Sequence, residues 1–147
     1  MPLLVDLGFL VTVLDNRQEF ASPERFDGRA TTMCGDYEKL AVQIPAGTFV
    51  VIITHEHEND QVVLKAAADA DPPLPYVGLI GSAKKIKKIV DALKESGTVP
   101  GNNVYAPIGL ELGGNSPPQI ALAIAAEVLA VSQGKTELRH CRDRKKE

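Results

Sequence analysis

The chain has 147 residues, 44% of them hydrophobic and 24% charged, the size and balance of one globular domain with a sizeable core. No apolar run approaches the roughly 18 residues of a membrane span, and the opening stretch, which carries Asp6 and no basic leader, reads against a signal peptide. A net charge of −3 with 5% aromatic residues argues against nucleic acid as a partner, and two distant cysteines, Cys34 and Cys141, suit a reducing cytoplasm without a disulfide framework.

In chain order, residues 1–8 (MPLLVDLG) read as the end of a helix. Phe9 to Leu14 is a short β-branched apolar run stopped at Asp15, the pattern of a buried strand. Arg29 to Met33 makes a weaker strand, and a short helix follows near Asp36 to Val42. Thr48 to Thr54 (TFVVIIT) is the strongest strand in the chain, being almost wholly β-branched and apolar. Asn59 to Ala70 then reads as a helix with Val62, Val63 and Ala66 turned inward, and Tyr76 to Ile80 as a strand stopped by Gly81. From Ala83 to Glu95, Ile86, Ile89, Val90 and Leu93 recur at helical spacing while Lys84, Lys87, Lys88 and Asp91 face out. Val104 to Ala106 is a short last strand. Ser116 has the place of an N-cap, with Pro117 at the first helical position and Gln119 completing a capping box. The helix that follows, IALAIAAEVLAVS, is apolar nearly all round and is expected to be buried on most sides. Residues 135–147 form a charged tail, expected to be flexible: six basic side chains against three acidic ones make it +3, leaving −6 on the preceding residues.

Strands alternating with helices, without internal repeat or linker, point to an α/β fold: one Rossmann-like, doubly wound parallel sheet over residues 1–134. In that fold the first strand is central and leads into a glycine-rich turn that cradles a pyrophosphate. Here the run ending in Asp15 matches the second strand, whose acidic residue commonly binds a ribose hydroxyl, and no G-x-G-x-x-G precedes it. The domain is therefore read as lacking the first strand and its glycine-rich turn, which leaves two strand edges unpaired. An upstream or split reading frame is the favoured explanation; the tail or a second subunit could instead fill the gap, or Leu3–Leu7 could be recruited as a strand. The open edge makes a homodimer the expected assembly.

Three stretches could carry chemistry. Thr54-His55-Glu56-His57-Glu58-Asn59-Asp60 follows the strongest strand, where a parallel sheet places its ligands. It resembles the T-H-x-H-x-D-H metal motif of metallo-β-lactamase-like hydrolases but departs from it at the last two positions, and His140 in the tail is the one further histidine. A weak metal site, a ligand-facing polar loop and a simple helix cap all stay open, with the metal least favoured. The second stretch, Gly78 to Lys85, is a strand, a glycine turn and a helix start. Lys84, Lys85, Lys87 and Lys88 crowd the positive end of that helix, a charge pattern that a bound phosphate would relieve. A solvated basic face with Ser82 as an ordinary N-cap is the alternative. The third, Ala106 to Pro117, is a glycine-rich loop into the last helix, on which Pro107 and Gly109 let the backbone approach a ligand closely. Glu127 in that helix either has a buried partner or marks its one wet stripe, the second being favoured; Cys34 is taken as a free buried thiol.

Together these stretches resemble the XdhC/CoxI family of xanthine dehydrogenase accessory proteins, in its C-terminal Rossmann-like domain. The matching blocks are Val13-Leu14-Asp15-Asn16-Arg17 with Phe20-Ala21 and Pro23-Glu24-Arg25-Phe26; Thr54-His55 through Asp60; Tyr76 through Ser82 with Lys85; and Ala106 through Leu110 with Gly113, Pro117, Ile120-Ala121 and Ala126-Glu127. They keep the family's order over nearly residues 9–134. The resemblance implies a cytoplasmic chaperone, more a cofactor-delivery protein than an enzyme. It would bind molybdenum cofactor (molybdopterin), aid its sulfuration and insert it into a molybdenum hydroxylase of the xanthine dehydrogenase type, with a cysteine desulfurase as a further partner. Asp15, His55, Asp60, Gly81, Ser82, Lys85, Pro107 and Gly109 would line the site. The alternative is a nucleotide- or NAD(P)-binding oxidoreductase-like domain, which the absent glycine turn disfavours. The family's separate N-terminal domain has no counterpart in these residues.

Overall fold

The computed structural model describes residues 2–135 and residue 137. Its elements, in chain order, are helix α1 (Pro2–Asp6), strand β1 (Thr12–Asp15), a single 3-10 turn (Pro23–Phe26), β2 (Thr31–Cys34), α2 (Tyr37–Ala41), β3 (Phe49–Ile52), α3 (His57–Ala68), β4 (Tyr76–Leu79), α4 (Ala83–Glu95), β5 (Val104–Tyr105) and α5 (Pro117–Ser132). Every strand pairing among the described residues is parallel, and the strands fall into two groups, β1–β2 and β3–β4–β5. No strand pairing joins the two groups among the described residues. The α/β class and the Rossmann-like arrangement thus stand, split where the sequence reads as lacking its first strand.

Each face of the larger sheet has its own core. Alternation along β3 sends Val50 and Ile52 to one face, where they join Leu64 and Ala67 of α3 and Ile86, Ile89 and Leu93 of α4. Leu64, Leu79 and Leu93 are fully buried, each worth about 1.5–3 kcal/mol in area removed from water. On the opposite face Tyr76, Ile124 and Val128 pack with Leu4, Phe9, Phe49 and Val51. Rings run across the sheet at this level: Phe9 meets Phe49 edge-on at 6.3 Å, Phe49 stacks on Tyr76 at 5.8 Å, and Tyr76 on Tyr105 at 4.7 Å. Helices α1 and α5 therefore lie on one face and α3 and α4 on the other. Gly78 in β4 is required by close approach, since a Cβ there would lie 2.3 Å from the Ile108 Cδ1 atom.

Several expectations are corrected. Leu3–Leu7 is not recruited as a strand, because α1 is helical there. The first strand is Thr12–Asp15 and is at most half-buried, since one of its edges has no neighbour among the described residues. In α3 the inward residues are Asp60, Leu64 and Ala67 in place of Val62 and Ala66; they recur at i, i+4 and i+7, and this face includes a carboxylate that a hydrophobic count passes over. Helix α5 buries only Ile124, Ala125, Glu127 and Val128, while Leu122 is 52% exposed; an open apolar cleft runs along its Ile120, Ala121 and Ile124 side. Cys34 is exposed at the end of β2, not buried. The charged tail, with His140 and Cys141, lies outside the described residues apart from Lys135 and Glu137.

Candidate functional site

Parallel strands bring their carboxyl ends to one rim, so Asp15 after β1, Thr54 and His55 after β3, and Gly81-Ser82 after β4 lie along the same side of the molecule. The Asp15 carboxylate is already engaged: Arg17 Nε donates to Oδ1 and Arg17 Nη2 to Oδ2, both at 2.9 Å, and the Arg17 N–H donates to Oδ1 at 3.0 Å. This bonding holds the Asp15 carboxyl below its ordinary value, with His55 contributing to the same shift. The Arg17 guanidinium is itself stacked on the Phe20 ring, 3.8 Å from its centroid, which fixes its direction. Tyr37, the first residue of α2, is buried beside them. Burial pushes its phenol up, and the Asp15 carboxylate adds to the shift.

Helix α3 opens at His57, so Asp60 sits in its first turn and points inward. Asp60 is fully buried; its Oδ1 accepts the Thr54 N–H at 3.1 Å and lies 2.7 Å from the Thr54 hydroxyl, whose single proton is also within reach of the Glu56 carbonyl. Its Oδ2 faces Lys85 Nζ at 2.5 Å. Gly81 leaves room for this pair: a Cβ there would lie 2.9 Å from the Lys85 stem. Asp60 and Lys85 thus tie the start of α3 to the start of α4, and Lys85 spends its charge inside the protein.

Ser82 caps α4 through its hydroxyl, which accepts the Lys85 N–H at 3.2 Å. A cleft of about 330 Å³ opens between the two helix starts, lined by His57, Glu58, Gln61, Ser82, Lys84, Lys85, Lys88 and Ile89. Lys84 and Lys88 carry no ion pair among the described residues, so together with the helix N-terminus they leave the cleft wall positive. Such a wall suits the phosphate of a small ligand. The volume lies at the lower end of the range of roughly 300–1,000 Å³ usual for small-molecule sites. No group of three metal-ligating side chains occurs among the described residues.

The third stretch lies elsewhere. Gly109, at φ +98°, packs on Ala123 of α5 at 3.4 Å, and its N–H donates to Glu127 Oε1 at 2.9 Å. The same oxygen accepts the Tyr76 hydroxyl at 2.6 Å. Glu127 therefore has buried partners and does not mark a wet stripe, the reverse of the favoured reading. Pro107 is exposed and Gly109 packs on α5; neither lines the Ser82 cleft. Tyr37 is the rim residue that sequence reasoning missed; an aromatic hydroxyl directly after the Asp36 cap of a rim helix was the available signal.

A family model described as the XdhC Rossmann domain matches residues 1–128. Among curated proteins, one from Bacillus subtilis (strain 168) that is named as a probable xanthine dehydrogenase subunit is 29% identical over 129 residues, 86% of this chain and 37% of that protein. The "Uncharacterized protein YqeB" of Escherichia coli (strain K12) is 29% identical over 132 residues, 85% of this chain and 23% of that protein. A crystal structure of a xanthine dehydrogenase from Bacillus halodurans superposes with a TM-score of 0.73 at 25% identity, covering 90% of this chain and 41% of that one. The chain thus spans less than half the length of each of these relatives.

Proposed function

Because the chain belongs to the XdhC family through its Rossmann domain, we propose that it acts as an accessory domain in the maturation of xanthine dehydrogenase-type molybdenum hydroxylases. In this reading it holds molybdenum cofactor for sulfuration and delivery and catalyses no reaction of its own. The hydroxylase is its protein partner, a cysteine desulfurase supplies the sulfur, and the work takes place in the cytoplasm. The observation that carries the reading is the positive cleft between α3 and α4. Ser82 lines it and caps the start of α4 through the Lys85 N–H, so the positive end of the helix adjoins the cleft, and Lys84 and Lys88 line it as well. That donor set fits the phosphate of a pterin cofactor. The buried Asp60–Lys85 pair holds the two helix starts at a set separation, so their role is positioning.

The cofactor, when bound, supplies the molybdenum chemistry; these residues bind and orient its phosphate. Equilibrium titration of the full chain with molybdopterin under anaerobic conditions tests the proposal. Micromolar or tighter binding, about −8 kcal/mol or better, is expected. Ser82→Asp keeps a good N-cap but places negative charge at the helix end, so it should weaken binding by about tenfold or more while leaving stability within about 0.5 kcal/mol. Equal binding by Ser82→Asp would refute this site. A nucleotide-dependent oxidoreductase gains no specific observation, since the carboxylate expected to take a ribose hydroxyl has both oxygens on Arg17.

A further inference from the structure

Folding gathers a second set of hydrogen-bond donors on the rim, outside the Ser82 cleft. Arg17 spends one edge of its guanidinium, Nε and Nη2, on the Asp15 carboxylate. Its Nη1 group makes no hydrogen bond among the described residues, which leaves the outer edge of the fork free. The plane of that fork is set twice over, by Asp15 and by the Phe20 ring 3.8 Å away. The Arg17 side chain is 33% exposed, which keeps this corner of the rim open. Tyr37 stands beside it, with its ring packed away. The Asn16 N–H faces the phenol oxygen, but the phenol's own proton has no acceptor among the described residues. Tyr76, the other buried tyrosine, donates to Glu127. A buried hydroxyl without such an acceptor is missing a partner.

Formal charge nearly cancels at this corner. Arg17 is matched by Asp15, and Arg25, over the same Phe20 ring, stands against Glu19, whose field also reaches Arg17. A second phosphate would meet the Asp15 and Glu19 carboxylates and gain little. What the corner offers is donors without net charge, the complement of a neutral oxygen. The Ser82 cleft is the reverse, since Lys84 and Lys88 leave it positive. Asp60 links the two places. It sits in the first turn of α3, its carboxylate acts on the Tyr37 phenol, and it holds Lys85 on the cleft side. Helix α2, which begins with Tyr37, packs on α3.

We propose that the Tyr37 hydroxyl and the free edge of Arg17 form a second binding point, which takes the neutral ring carbonyl of the ligand whose phosphate lies in the Ser82 cleft. For a pterin that atom is the pyrimidinone oxygen. The assignment rests on the cofactor reading and names the end of the cofactor that the cleft does not hold. Tyr37 O–H and Arg17 Nη1 donate to the oxygen, Asp15 keeps the corner neutral, and Phe20 keeps the fork flat. Burial, the largest influence on the Tyr37 phenol, raises its value, so it stays a donor at neutral pH. Held at both ends, the ligand lies along the rim in one direction.

Equilibrium titrations of the full chain with molybdopterin and with inorganic phosphate test the assignment, on the parent, Tyr37→Phe, Arg17→Lys and Lys84→Ala. Tyr37→Phe should weaken molybdopterin about fivefold, the worth of one neutral hydrogen bond, and leave phosphate binding unchanged. Arg17→Lys keeps the charge without the fork and should act in the same way. Lys84→Ala should weaken both ligands. Because the Tyr37 proton has no acceptor in the free chain, Tyr37→Phe should also leave the urea midpoint where it is. A fall in that midpoint would mean that the phenol serves the fold, and would overturn the assignment. So would unchanged molybdopterin binding by Tyr37→Phe, or an equal loss of phosphate. If Lys84→Ala still weakens molybdopterin in that case, the cofactor reading survives and only the ring contact fails. A parent chain that binds phosphate but no molybdopterin would instead sink the cofactor reading and this contact with it. Guanosine monophosphate carries a like carbonyl and a phosphate. Tighter binding of it than of molybdopterin would assign the corner to a nucleotide base and overturn the pterin contact.

Discussion

Buried Glu127 holds two donors at once, so removing either end of this arrangement should cost more than an ordinary surface change. Tyr76→Phe deletes the hydroxyl that donates to Glu127 Oε1 at 2.6 Å. A hydrogen bond to a charged group in such a setting is worth about 1.5–3 kcal/mol. Glu127→Gln keeps an oxygen for both Tyr76 and Gly109 but loses the charge assistance, so about 1 kcal/mol is expected. Glu127→Ala strands the phenol and the Gly109 N–H and opens a cavity, about 3–5 kcal/mol in all. Urea unfolding followed by circular dichroism measures these as midpoint shifts at constant m-value. In a double-mutant cycle with Tyr76→Phe, Glu127→Ala should show a coupling of about 1–2 kcal/mol. The Gly109 amide should also exchange faster in Glu127→Ala, because that carboxylate pins the loop. Burial, with Glu127 beside it, holds the Tyr76 phenol well above its ordinary value of 10.0. A group raised on folding gives its full stabilisation below its unfolded value and loses it as pH climbs toward the folded one. The alkaline fall in stability above about pH 10 should therefore be shallower in Tyr76→Phe. Additive costs, or a Tyr76→Phe change below about 0.5 kcal/mol, would refute the reasoning.

Lys85→Met should destabilise by about 3–5 kcal/mol, since it leaves the fully buried Asp60 carboxylate without its cation; the double variant Lys85→Met with Asp60→Asn should recover part of that on thermal melting. Lys84→Ala and Lys88→Ala should each change stability by less than about 0.5 kcal/mol and yet weaken binding of a phosphate-bearing pterin, read by the same titration. Asp15→Asn should cost about 1 kcal/mol or less at pH 7, the Arg17 pair being partly exposed. Folding lowers the Asp15 value, so its contribution is present above the ordinary 3.8 and fades as pH falls through the depressed one. Acid melts of the variant and the parent should therefore converge once the pH has fallen below that lowered value. Gly78→Ala should cost about 1–3 kcal/mol in urea, because its methyl meets Ile108 and the Tyr76 hydroxyl.

Much of the fold was legible in the residues themselves. The run of Ile86, Ile89 and Leu93 repeats with the helix turn, so α4 lies at Ala83–Glu95 as read. Val50 and Ile52 sit in an unbroken β-branched run that only a sheet covered on both faces would bury. Ser82 and Ser116 announced their helices because capping is local chemistry between residues three apart; the Gln119 side chain accepts the Ser116 N–H at 3.1 Å. The parallel α/β class could be read as well, because strands alternate with helices along the chain. Family membership rests on the same local blocks, whose order along the chain needs no coordinates.

What the tertiary structure decided were partners far apart in sequence. Nothing local distinguishes a Glu127 on a wet stripe from one that Tyr76, fifty-one residues away, turns inward. Lys85 reads as one of four lysines on a basic helix start until folding sets it against Asp60; it still lines the cleft, with its charge paired, while Lys84 and Lys88 beside it have no ion pair among the described residues. Asp15 likewise reads as a free ligand carboxylate, although Arg17, two residues on, takes both its oxygens once Phe20 fixes the guanidinium. The exposed flank of α5 was illegible for the opposite reason. Its sequence is apolar all round, so nothing along the chain tells the exposed Leu122 from the buried Ile124 and Val128; packing in the fold does. Periodicity and capping depend on neighbours along the chain, so sequence by itself determined them; charge pairing and burial depend on neighbours in space, and only the assembled fold supplies those.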